Sequence, residues 1–166
     1  MLEVIRYMQA RDNVPTWVIG GSSATPAIWG LANNLPIDAP VGAIFWSPGS
    51  PNLSQVTLIR RPTLVINHEF DTDQSGTAFF NALTSAPVKE HVSFTGGTNA
   101  GCGYHVFNGL DAEFAAATTG FIDRYNGTSG PPVAANYQGL WYAAPAGSEA
   151  GWGINFTHQG DSIFAS

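Results

Sequence analysis

Apolar residues fall along this chain in alternating rhythms. Residues 2–11 place Leu2, Ile5 and Met8 at helical spacing with Val4 beside them, and Asp12, Asn13 and Pro15 break the run. The short apolar run at 16–19 predicts a buried strand. Residues 24–32 return to a helical spacing, with Ala24, Ala27, Ile28, Leu31 and Ala32 on one side and Pro26 tolerated in the first turn. Val41 to Trp46 is apolar throughout, as a parallel strand covered on both faces should be. Thr63 to Asn67, introduced by Pro62, predicts another buried strand, and His91 to Phe94 a further one. Residues 75–84 predict a helix, and 109–125 a longer one with Phe114, Ala117, Phe121 and Ile122 on its inner face. The Ser/Pro/Asn-rich residues 47–58 and the Gly-rich residues 95–104 read as loops.

Strands alternating with helices predict the α/β class, a parallel sheet flanked by helices, over residues 1–125. Residues 126–136 are a linker by composition. Residues 137–166 are Gly- and Trp-rich, alternate and lack a helical period, which predicts a short antiparallel β segment.

Charge narrows the partners. The 166 residues are 44% hydrophobic and only 11% charged, enough apolar content for a real core. Net charge is −6 and Lys89 is the single lysine, which argues against nucleic acid as a partner. No apolar run reaches the length of a membrane span, and no basic segment followed by an apolar stretch marks a signal peptide. Low charge and scarce lysine resemble exported bacterial proteins, so an exported parent is expected. The lone Cys102 leaves no intrachain disulfide.

Candidate chemistry begins at Gly20-Gly21-Ser22-Ser23-Ala24, where a strand pattern gives way to a helix pattern. That is the layout of a nucleophile elbow with Ser22 at its tip. The motif is weakly specific alone in a chain this rich in Gly, Ala and Ser, but it lies at the C-terminal end of a predicted parallel strand, where α/β folds place their sites. A serine nucleophile needs a base, and the base an orienting carboxylate. Of the four histidines, His68 sits just past a strand end, His91 at a strand start and His158 in the C-terminal segment. His105 ends the long Gly-rich loop, where an exposed base belongs. No Asp or Glu lies between Asp38 and Glu69, so the acid comes from Glu69, Asp71 and Asp73; Asp71 is preferred and Asp73 is the runner-up. His68 lacks the spacing of a metal-ligand motif, and neither metal nor cofactor is expected. The chemistry these residues suggest is acyl transfer from a small ester, with the backbone N–H of Ser23 as one oxyanion donor.

Three motifs resemble the α/β-hydrolase family, specifically bacterial hydrolases that are often exported. They are Trp17-Val-Ile-Gly-Gly-Ser22-Ser-Ala24, Pro62-Thr-Leu-Val-Ile-Asn-His68-Glu-Phe-Asp71 and Gly103-Tyr-His105-Val-Phe-Asn-Gly109. The resemblance implies a Ser22–His105–Asp71 triad and covers the C-terminal half of that fold. Ala24 replaces the usual glycine, and the cysteine that relatives carry after the acid is absent from Asp73-Gln74-Ser75. In that family several strands precede the elbow, so the chain reads as a fragment open at both ends. It would then lack the second oxyanion donor and show little activity alone. Residues 137–166 resemble the opening of a small β module found beside exported bacterial domains. The competing class is a non-catalytic exported binding or adhesion protein that uses Trp141 and Trp152 of that module for contact.

Overall fold

The structure, a computed structural model, describes residues 2–12, 15–34, 41–49, 52–72 and 75–126, with three short backbone stretches nearer the C-terminus. Four strands form one sheet: β1 (Thr16–Ser22), β2 (Val41–Pro48), β3 (Thr63–His68) and β4 (Lys89–Phe94). All neighbours are parallel and lie in chain order, β1-β2-β3-β4. Parallel neighbours need a crossover of a dozen or so residues. Helices α2 (Thr25–Asn34), α3 (Leu53–Val56) and α4 (Gly76–Ala82) lie in the three crossovers, with α1 (Leu2–Asp12) before the sheet and α5 (Asp111–Tyr125) after it.

Alternation along the strands sends successive side chains to opposite faces. Val18, Ala43, Phe45 and Val65 meet Ile5 of α1, Ile28 of α2, Val56 of α3 and Phe79 of α4 in one core. The rings of Phe45 and Phe79 lie 4.6 Å apart there. On the other face Ile44, Leu64 and Ile66 meet Phe121 and Ile122 of α5, with Phe114 and Ala117 packed against them. A strand apolar at every position is thus buried on both faces, as β3 is along its whole length.

The structure departs from the sequence pattern at several points. Residues 47–58 are not all loop. Asn52 accepts a hydrogen bond from the Ser54 N–H at 3.2 Å and caps the single helical turn α3. Ala24 and Ala27 are exposed, so Ile28 and Ala32 carry the buried stripe of α2. Finally, β4 begins at Lys89, which puts His91 inside the strand, opposite Val65.

β1 is an outer strand of this sheet, and Trp17 and Ile19 are half-buried on the α5 face. Trp17 meets Phe121 edge-on at 5.5 Å, and its indole N–H donates to Asn126 Oδ1 at 2.9 Å. Strands β5 (Gly139–Trp141), β6 (Ile154–Gln159) and β7 (Ser162–Ala165) lie outside the four-stranded sheet. Asp73 and residues 127–136, the predicted linker, lie outside the described residues. Among the described residues no helix is long and apolar enough to cross a membrane.

Candidate active site

The predicted site residues gather at the C-terminal edge of the sheet. Ser22 closes β1. The chain then reverses in a turn whose Ala24 N–H bonds the Gly21 carbonyl at 2.9 Å, and α2 follows directly. Ser22 has φ +49°, a left-handed conformation that a side chain rarely adopts. The glycine before it is demanded by space. A Cβ on Gly21 would overlap the carbonyl oxygen and indole ring of Trp46 on β2. Ser23, the expected oxyanion donor, is exposed within the same turn.

Asp71 follows β3. Its N–H bonds the His68 carbonyl at 3.2 Å, while Glu69 N–H bonds the Phe94 carbonyl at 3.0 Å and ties this turn to β4. His105 lies in a 3₁₀ turn, Gly103–Val106, that ends the loop after β4. Gly103 has φ +51°, and a Cβ there would meet Asn99 Oδ1, so glycine closes the loop here without strain.

Asp71 and His105 meet. Asp71 Oδ2 lies 2.7 Å from His105 Nδ1, with the carboxylate side chain 4% exposed and the imidazole 24%. A bond this short between a carboxylate and an imidazole N–H is charge-assisted. It fixes the tautomer, placing hydrogen on Nδ1 and leaving Nε2 as the basic nitrogen. Ser22 shares the edge but is not joined to this pair: among the described residues no hydrogen bond links Ser22 Oγ to His105.

His68, set aside by its spacing, contributes through the backbone. It is fully buried. Its Nδ1 accepts from the Phe70 N–H at 3.1 Å, so Nε2 carries the hydrogen and donates to the Gly96 carbonyl at 2.8 Å. The ring stacks on Tyr104 at 4.3 Å. One imidazole therefore ties the acid's turn to the loop that carries His105. No signal in the sequence separates this role from an ordinary core histidine.

A cavity of about 300 Å³ is lined by Trp46, Val106, Phe107, Asp111 and Phe114, and none of Ser22, Asp71 and His105 lines it. Its walls are mostly apolar and its volume is at the low end for small-molecule clefts. Among the described residues no group of three or more His, Cys, Asp or Glu could hold a metal ion. Comparison with protein-family models, with curated proteins and with solved structures finds no match for this chain.

Proposed function

We propose that this chain is a serine hydrolase of the α/β-hydrolase type, acting on small esters by acyl transfer. The observation that carries the reading is the 2.7 Å bond between His105 and the nearly buried Asp71, on the same sheet edge as a serine held at positive φ. Ser22 Oγ attacks the ester carbonyl while its proton passes to His105 Nε2. Asp71 stabilises the imidazolium that forms. The Ser23 N–H supports the oxyanion. The alcohol leaves with the proton from His105, and water, activated by the same nitrogen, releases the acid and restores Ser22. Strands β5–β7 pair antiparallel, which supports reading residues 137–166 as an antiparallel β segment. The low lysine content supports an exported parent.

The test is labelling by a fluorophosphonate probe together with hydrolysis of p-nitrophenyl acetate. Wild type should label at one serine. Ser22→Ala should abolish labelling, and Asp71→Asn should slow it by on the order of 10³- to 10⁴-fold. Equal labelling of wild type and Ser22→Ala, or none of either, overturns the reading.

A further inference from the structure

We propose that Ser47 is a positioning residue for His105, held in a strained bulge opposite Ser22 so that its hydroxyl fixes where the base stands. The inference rests on reading His105 as the general base.

The register between β1 and β2 supplies the first observation. Gly21 pairs with Trp46, but Ser22 pairs with Pro48, so Ser47 is the extra residue of a bulge at the strand end. Bulges re-aim a side chain and recur beside active sites. The second observation is conformational. Ser47 has φ +38°, where glycine would sit without strain. It is also completely buried. A strained, buried serine is understandable only if its hydroxyl is used, since glycine would relieve the backbone and remove a polar group from the interior.

The third observation shows the use. Ser47 Oγ donates to the His105 carbonyl oxygen at 2.7 Å. Trp46, the preceding residue, meets the His105 ring edge-on at 6.4 Å. His105 is therefore held twice, by Asp71 through its ring and by Ser47 through its backbone. The Ser47 bond originates in the strand register that also sets Ser22. The bulge thus couples the position of the base to the position of the nucleophile.

Two variants separate a positioning role from a structural one. Ser47→Gly removes the hydroxyl and relieves the positive φ, so it should melt above Ser47→Ala. Ser47→Ala removes the hydroxyl and keeps the strain. Both should label with fluorophosphonate about three- to tenfold more slowly, the worth of one hydrogen bond, and respond alike despite their different stabilities. Independently of turnover, the low-field proton resonance of His105 Nδ1–H should broaden by faster exchange in both, and Asp71→Asn should remove it. A folded Ser47→Gly variant with wild-type labelling and an unchanged Nδ1 resonance overturns the proposal. Labelling that survives Ser22→Ala defeats the hydrolase reading instead, and the resonance then decides the Ser47 proposal alone.

Discussion

Replacing Ser22 by glycine should stabilise this protein while removing its proposed nucleophile. Ser22 stands at φ +49°, and a left-handed backbone costs a residue with a Cβ about 1–2 kcal/mol relative to glycine. Glycine also frees the unfolded chain, which offsets about 0.5–1 kcal/mol of that gain. The net expectation is about 0.5–1 kcal/mol in favour of Ser22→Gly. The proper reference is Ser22→Ala, because it loses the same hydroxyl yet keeps the strain. For a chain of this length about 1 kcal/mol moves the melting temperature by roughly 2–4 °C. Ser22→Gly should therefore melt about 1–4 °C above Ser22→Ala by circular dichroism, and its urea midpoint should rise with no change in slope. Both variants lack the Ser22 hydroxyl, so activity does not enter the comparison. A Ser22→Gly protein that melts at or below Ser22→Ala would show that no strain is stored at this position, and the elbow would lose its physical basis.

Three further outcomes are expected. Gly21→Ala forces a methyl into the Trp46 carbonyl and indole. Because backbone is the obstacle, it should destabilise by about 1–3 kcal/mol or more in urea titration; a change under about 0.5 kcal/mol refutes the close approach of β1 to β2. His68→Phe keeps a ring against Tyr104 but strands the Phe70 N–H and Gly96 carbonyl. A loss of about 1–3 kcal/mol should follow, with faster amide exchange at Phe70, and unchanged exchange there contradicts the tie. His91 pairs with Asn67 Oδ1, stacks on Phe80, and is held below its ordinary pKa of 6.5 by burial. The unfolded chain then binds its proton more readily, so this contribution is complete above about pH 6.5 and is lost as pH falls through the lower folded value. Urea midpoints measured from pH 7.5 to 5 should fall less steeply in His91→Gln than in wild type; parallel curves would exclude the effect.

Periodicity made the α/β layering legible because strands such as β3 are apolar at every position and α5 carries a clear inner face. The strand ends were less legible. β1 continues through Gly20, Gly21 and Ser22, and β2 through Ser47 and Pro48, because pairing with a neighbour extends them past the apolar pattern. Alanines at helical spacing misled at Ala24 and Ala27, since a methyl group is a weak signal of burial. Asp71 and His105 were reachable by elimination and by the Gly-Tyr-His-Val-Phe-Asn-Gly run. Ser47 was not. Its positive φ and its bulge arise from the register of two strands, and nothing local in Trp46-Ser47-Pro48 encodes that.

The distribution of strain bears on the choice between catalyst and binding scaffold. Among the described residues the non-glycine positions with positive φ are Ser22, Ser47 and Phe107. Ser22 and Ser47 end adjacent strands, and Phe107 follows His105 by two residues. Each such position costs on the order of 1–3 kcal/mol, and persists where the surrounding structure over-determines it. A scaffold that presents a surface elsewhere gains nothing by concentrating these costs on one sheet edge. It equally gains nothing by burying the Asp71 carboxylate against an imidazole at 2.7 Å. A hydrolase gains from both, because the nucleophile, the base and the acid must keep fixed relative positions while bonds form and break. The strain therefore supports the proposed hydrolase over the binding scaffold as the reading of this edge. It also makes a joint prediction: the double variant Ser22→Gly, Ser47→Gly should be more stable than the double variant Ser22→Ala, Ser47→Ala, and neither should label at position 22 with a serine-directed probe. A double glycine variant no more stable than the double alanine variant would mean that the two turns support the sheet and are not strained for a site.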